Sequence, residues 1–240
     1  MAMTIALIGY GEVGRILAED LRARGESVVA FDLKLDGDAG AAMREHASTQ
    51  GIALATSHAD AVRGADLVIS AVTASQAVPV ALACAAGLKK GAFFLDFNSA
   101  SPGAKIRAAK TVNAVGARYV EGAVMTSVPP YRIKVPLLLG GPDAAALEPV
   151  LNGLGFAARV ASEKLGVASA TKMCRSVMIK GLEALVIESY ATARAYGVED
   201  HVLPTLQETF PSIDWSAQGA YFFSRVVQHG KRRAEEMREA

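Results

Sequence analysis

Two groups of residues have types and spacings with a chemical use. Near the start, Gly9, Gly11 and Gly14 stand as G-x-G-x-x-G, and Asp32 follows eighteen residues beyond Gly14. In a dinucleotide site the first glycine permits a tight turn, the second leaves room for a pyrophosphate and the third lets a helix pack on its strand. An acid at the end of the next strand then accepts from a ribose hydroxyl. The same glycines would serve as a plain turn in another α/β domain; Asp32 favours the nucleotide. In the second half, Lys172, Ser176 and Lys180 are spaced i, i+4, i+8 and share one face of a helix. A desolvated lysine amine can move a proton at a reacting centre, but helix lysines are commonly just solvated. Spacing alone leaves both readings open. No histidine competes for the proton: His46 and His58 fall in early helices, His201 and His229 in the distal helical region.

These residues need elements to hold them. Thr4 to Ile8 is a short β-branched run that suits a buried parallel strand, and Val13, Ile16, Leu17 and Leu21 follow at helical period. The free N–H groups at that helix start would receive the phosphates, so Tyr10, Glu12 and Val13 join the three glycines as cofactor residues. Ser27 to Phe31, Ile52 to Ala55, Ala65 to Val72 and Phe93 to Asp96 read as further strands. Helices are expected over 40–50, from Ala77 to about Leu88, and after Ser101, a plausible N-cap before Pro102. Arg118 to Val124, Val135 to Leu139 and Phe156 to Ala161 extend the strand pattern, with a helix from Asp143 to Leu151. Strands alternating with helices imply right-handed crossovers and a mostly parallel, Rossmann-type sheet with extra strands. Ligands bind beyond the carboxyl ends of such strands, where Tyr10, Thr73 and Asn98–Ser99 fall. Past Ser162 the chain reads as helical: a long helix from about Leu165 to Tyr196, then 200–209 and 214–238, broken at Gly197 and Phe210-Pro211. The expected division is a dinucleotide-binding domain over 1–162 and a smaller helical substrate and dimerisation domain over 163–240, with the long helix as hinge.

Half the residues are apolar and a fifth are charged, so the chain is globular. A net charge of +1 gives no electrostatic reason to expect nucleic acid or an anionic membrane. The basic run Lys231-Arg-Arg233 precedes Glu235 and Glu236 and reads as a solvated helix face. Cys84 and Cys174 lack metal-ligand spacing and read as two buried, reduced thiols. No metal is expected. No stretch resembles a signal peptide or a spanning helix, so a cytoplasmic protein is expected.

Taken together, the glycine fingerprint, Asp96-Phe-Asn-Ser-Ala-Ser-Pro102, Glu121-Gly-Ala-Val-Met-Thr-Ser127 and Gly166 to Ser176 resemble the β-hydroxyacid dehydrogenase family, the relatives of 6-phosphogluconate and 3-hydroxyisobutyrate dehydrogenases. The resemblance implies a Rossmann-type domain joined by a long helix to an all-helical domain that makes a homodimer. It places the family's acid/base lysine on Lys172, and sets Thr73 and Asn98–Ser99 along the nicotinamide ribose and the substrate. Two departures stand out. Where the family has Ser-Gly-Gly, a small cradle for a carboxylate, this chain has Met125, Thr126 and Ser127. The family's asparagine one turn after the lysine is replaced by Arg175 or Ser176, depending on alignment. The helical region is also short for the family.

The implied function is an NAD(P)-dependent oxidoreductase that interconverts a small hydroxy acid and its semialdehyde or keto form, with Lys172 as general acid/base. Substrate contacts are expected from Asn98, Ser99, Met125, Thr126, Ser127, Arg175 and Ser176. Asp32 favours NAD, with NADP not excluded because Lys34 lies on the same side of an extended chain. Two alternatives remain: reduction of C=N bonds, as in the related imine reductases, against which the lysine argues, and a non-catalytic dinucleotide-binding module.

Overall fold

The structure is a computed structural model that describes residues 3–238, apart from the side chains of residues 231, 232, 235 and 236. Its first half runs β1 (Thr4–Ile8), α1 (Glu12–Arg22), β2 (Ser27–Phe31), α2 (Gly40–Gln50), β3 (Ala53–Leu54), α3 (His58–Val62), β4 (Leu67–Ser70), α4 (Ala77–Ala85) and β5 (Phe93–Asp96). It continues as α5 (Pro102–Ala114), β6 (Arg118–Val124), α6 (Val128–Tyr131), β7 (Pro136–Gly140), α7 (Ala144–Gly153) and β8 (Ala157–Ser162).

These strands form one eight-stranded sheet in the order β3-β2-β1-β4-β5-β6-β7-β8. Successive strands go one way from β1 and the other way from β4, so the order reverses at the β1/β4 boundary. Such a switch point opens a crevice beyond the carboxyl ends. Strand β1 lies inside the sheet between β2 and β4, with Ile5 to Ile8 wholly buried, which is why its sequence is an unbroken apolar run. The described pairs are parallel except β6 with β7. The connection over 125–135 is shorter than the dozen or so residues a parallel crossover needs, so the chain reverses there.

Several elements differ from the expectations at their edges. Strand β3 shrinks to Ala53–Leu54 and α4 stops at Ala85. Helices α3 and α6 were not anticipated, because four or five residues are too few to show a period. Helix α3 does carry a local signal: the Ser57 hydroxyl accepts from the Asp60 N–H at 3.1 Å. Arg132, at the end of α6, has φ 52° and ψ −134°. Among the described residues it is the only one besides glycine with a positive φ. Such a conformation costs about 1–3 kcal/mol and persists only where the surroundings enforce it.

The chain then enters α8 (Val167–Tyr196), followed by α9 (Glu199–Thr209) and α10 (Trp215–Arg238). It divides into two compact units between Lys172 and Met173, inside α8. The second unit has its own small core, in which Val186, Trp215 and Phe222 are buried and Ile187, Tyr190, Leu203, Leu206 and Ile213 pack around them. Trp215 Nε1 donates to the Leu206 carbonyl at 3.1 Å and the Tyr190 hydroxyl to the Trp215 carbonyl at 2.7 Å. Of the basic run 231–233, Lys231 and Arg232 lie outside the described side chains, as do Glu235 and Glu236. Arg233 is no solvated cation: its side chain is only 12% exposed and pairs with buried Glu183 at 2.5 Å. Cys84 is buried, which pushes its thiol up to about 12, but Cys174 is exposed, contrary to expectation.

Candidate active site

The glycine turn has the geometry its spacing implies. Gly9 has φ +96°, and a Cβ there would lie 2.4 Å from the Ala71 carbonyl oxygen. A Cβ on Gly14 would lie 2.0 Å from the Gly9 carbonyl oxygen, so only glycine lets α1 lie this close to the turn. A Cβ on Gly11, the N-cap of α1, would meet nothing within 4 Å. That open space at a helix N-terminus suits a pyrophosphate. Glu12 is exposed and offers its backbone N–H there. The Tyr10 ring is fully buried in the core, so only its backbone faces the turn, and burial pushes its hydroxyl up to about 12.

Asp32 stands just past β2, where a ribose would lie. One carboxylate oxygen accepts from the Tyr10 N–H at 2.8 Å and the other from the Lys34 N–H at 2.9 Å. The acid therefore fixes the glycine turn as well as presenting a charge. Thr73 is exposed beyond β4. Asn98 is 3% exposed, and its side chain works within the protein. Its Oδ1 accepts from the Val72 N–H at 2.6 Å, and its Nδ2 donates to the Ser70 hydroxyl at 3.0 Å. Expected as a substrate contact, Asn98 here holds the chain leading to Thr73.

A pair of buried carboxylates organises the rest. Asp96 and Glu121 are register partners on β5 and β6, and both are wholly buried. Asp96 is paired with Lys105 of α5 at 2.8 Å and accepts from the Tyr119 hydroxyl at 2.7 Å and the Asn98 N–H at 3.0 Å. Lys105 Nζ also donates to the Asp96 and Gly122 carbonyls, so its three donors are satisfied. Burial first, then the charges of Asp96 and Glu121, hold the Tyr119 hydroxyl well above its usual range. This network sets the path of Asn98 and Ser99.

Glu121 instead caps α8. It accepts from the Gly166 N–H, from the Ser169 N–H at 2.7 Å and from the Ser169 hydroxyl at 3.2 Å. These are donors of a helix first turn that lack intrahelical partners, and a carboxylate there is favoured by the helix dipole. With the helix start fixed, Lys172 stands one turn further on, and its Nζ donates to the Ser99 hydroxyl at 2.5 Å. One carboxylate holds the serine and its neighbour holds the lysine.

The remaining expected residues are distributed along two elements. Met125 packs with Ala123, Leu138 and Ala168, and Ala168 lies one turn before Lys172 in α8. Thr126 is exposed and Ser127 half-buried at the start of α6. Arg175 and Ser176 follow Lys172 on α8 but belong to the second unit. Asp96, Lys105, Tyr119, Glu121 and Ser169 were not foreseen. Two of them had left a signal: Glu121 is a carboxylate inside the apolar run Tyr119 to Val124. Lys105 lies on the apolar face of α5, beside Ala108, Ala109 and Val112.

A glycine turn at the switch point of a doubly wound sheet, with an acid past the next strand, defines a dinucleotide-binding α/β domain. Residues 4–162 match the NAD binding domain of 6-phosphogluconate dehydrogenase, and residues 193–240 match a domain of unknown function (DUF1932). The chain belongs to the 6-phosphogluconate dehydrogenase-type family of NAD(P)-binding proteins. It is similar over its whole length to a conserved hypothetical protein from Sinorhizobium meliloti, at 41% identity, 80% coverage of that chain and a TM-score of 0.83. A conserved protein of unknown function, described as structurally similar to 3-hydroxyacid dehydrogenases, matches 99% of the chain at 32% identity, with 87% of that chain covered and a TM-score of 0.79. An imine reductase variant from Myxococcus stipitatus in complex with NAD⁺ shares the fold at 23% identity over 95% of the chain and 78% of its own, with a TM-score of 0.72.

Proposed function

We propose that the chain is an NAD(P)-dependent oxidoreductase that interconverts a small hydroxy acid and its semialdehyde or keto form, with Lys172 as general acid/base. The observation that carries this reading is the Lys172–Ser99 hydrogen bond beyond the carboxyl end of β5, in a chain of this family. A nicotinamide dinucleotide, when bound, supplies the hydride acceptor or donor. Gly9 to Gly14 would hold its pyrophosphate and Asp32 its ribose, which favours NAD over NADP. In the oxidative direction Lys172 takes the hydroxyl proton, and in the reductive direction it returns it. Ser99 orients the amine by accepting its hydrogen bond. Thr126, Ser127, Arg175 and Ser176 offer donors for a carboxylate, and Met125 makes the wall more apolar than the small residues usual in the family. In this reading residues 1–162 bind the dinucleotide, and the helical residues 163–240 pair with a second copy.

The test is a spectrophotometric screen of NAD⁺ and NADP⁺ reduction against small 3-hydroxy acids. Turnover of one or more is expected. Turnover only of alcohols without an acidic group would overturn the substrate class. Reduction of cyclic imines with no activity on hydroxy acids would favour the imine reductase reading.

A further inference from the structure

The segment 125–135 leaves β6, passes through Met125, Thr126, Ser127 and α6, and returns to the sheet at β7. At its base the Met125 N–H donates to the Pro136 carbonyl at 2.9 Å. Its far end packs on α1, the helix that opens on the glycine turn. Arg132 makes that attachment ionic. Its Nε donates to Asp20 Oδ1 at 3.0 Å and its Nη2 to Glu19 Oε2 at 2.6 Å, while the Ile133 N–H donates to Asp20 Oδ2 at 3.0 Å. The other Glu19 oxygen lies 2.8 Å from His46 Nε2, and His46 Nδ1 lies 2.7 Å from the Tyr10 hydroxyl. A hydrogen-bonded chain thus runs from the residue between Gly9 and Gly11, through α2 and α1, to Arg132.

The backbone of Arg132 gives a second, independent observation. An arginine held at φ 52° and ψ −134° is in a conformation that it leaves unless its surroundings forbid it. Pro129 and Pro130 lack N–H groups and cannot tie the segment down through theirs. The clamp and the strain therefore occur at the same residue, on the only arm of the chain between β6 and β7.

We infer that Arg132 is a positioning residue: its guanidinium clamps the 125–131 segment to the dinucleotide helix and so sets where Thr126 and Ser127 stand for the substrate. The inference rests on the reading of residues 125–127 as a substrate wall. It adds a residue that touches neither substrate nor cofactor yet decides how well the wall is formed. Arg132→Gly removes the guanidinium and the backbone strain together, whereas Glu19→Gln/Asp20→Asn removes the clamp's charges and leaves the arginine backbone in place, so the pair separates the clamp from the strain.

The experiment compares backbone hydrogen exchange in the full-length chain for the wild type, Arg132→Gly, Arg132→Lys and the Glu19→Gln/Asp20→Asn double variant. In Arg132→Gly, exchange at Tyr131 and residue 132, whose N–H groups are bonded within α6, should rise about 10–100-fold, with β5 and α7 unchanged. The double variant should give the same pattern, and Arg132→Lys, which keeps one charge, should recover part of the protection. On a hydroxy acid that is turned over, KM should rise about tenfold while kcat changes less than about threefold. Unchanged exchange at Tyr131 and residue 132 would overturn the proposal, as would faster exchange spread through β5 and β6, or a loss confined to kcat. If the wild type bound neither NADH nor NADPH, the dinucleotide reading would fail, and the exchange pattern would still decide whether Arg132 holds the segment.

Discussion

At the scale of single residues, the amine of Lys172 and the acid of Asp32 carry the chemistry proposed for this chain, and each can be tested by its own substitution. Acid–base assistance is typically worth ~10²–10⁴ in rate, so Lys172→Ala should lower kcat by about that factor and leave NADH affinity nearly unchanged. Lys172→Arg should be almost as poor, because a guanidinium does not readily release its proton. Near wild-type kcat in Lys172→Ala would make the lysine structural. For Asp32, the expected outcome is tighter NADH than NADPH binding by fluorescence titration. Its two oxygens already accept from Tyr10 and Lys34, so removing the whole side chain would also loosen the glycine turn. Asp32→Asn is the cleaner variant, since it keeps an acceptor and discards the charge that repels a 2′-phosphate. The NADH preference should shrink in that variant; a preference that stayed the same would remove Asp32 from cofactor selection.

At the scale of elements, α8 begins where Glu121 holds its first turn, and the Arg132 clamp fastens 125–135 to α1. Glu121→Gln retains an acceptor but cannot serve the Gly166 and Ser169 donors together, and an unsatisfied buried donor costs about 1–3 kcal/mol. Thermal unfolding should show that loss, and kcat should fall as Lys172 shifts from Ser99; a variant with wild-type Tm would deny Glu121 its capping role. In the clamp, partial burial works to raise the Glu19 carboxyl, but hydrogen bonds from His46 and Arg132 outweigh it and hold it below the ordinary range. A carboxyl lowered in this way stabilises the fold above its unfolded pKa of ~4.3, and that contribution disappears as pH falls through the lower, folded value. The Tm difference between wild type and Glu19→Gln should therefore be present at about pH 5 and close as pH falls below about 4. Such contacts explain what the sequence did and did not disclose. Gly9 to Gly14 and the strands were legible because local spacing and periodicity express them, whereas for Lys172 spacing left two readings open and only the family resemblance supplied a role. The Glu121 cap joins residues 45 apart and the Arg132–Asp20 contact residues 112 apart, and no local pattern encodes either. The bonds of Asn98 show the same limit: its partners Val72 and Ser70 lie 26 and 28 residues away, and no local pattern encodes them.

At the scale of the whole molecule, the second unit leaves large apolar side chains exposed, which the proposed pairing with a second copy would cover. Met178 and Leu185 of α8 are 72% and 70% exposed, and Val227 of α10 is 84% exposed. Patches of this kind mark interfaces, and a stable one buries roughly 1,200–2,000 Å² in total. A homodimer through α8 and α10 is expected in sedimentation at micromolar concentration, and Leu185→Glu should shift it toward monomer. A wild-type monomer under those conditions would contradict the reading. The wide apolar surface of α8 was legible from its sequence, but which of its residues turn inward was not. Val186 is buried against Trp215 and Phe222, while Leu185 beside it is exposed, because α9 and α10 cover only one side of the helix.

The pairing of Asp96 with Glu121 on one rung of the β5–β6 ladder has a consequence for where the chain can change length. An extra residue beside exposed Gly116 lies ahead of the ladder and can bulge into solvent. An extra residue between Arg118 and Glu121 moves the glutamate off its rung and turns its side chain to the opposite face of the sheet. The start of α8 then has no anchor, and Ser99 no longer meets an amine. Single-residue insertions scanned along this stretch should therefore change from harmless to inactivating over a few positions, with the break at Arg118 rather than at any residue that touches a ligand.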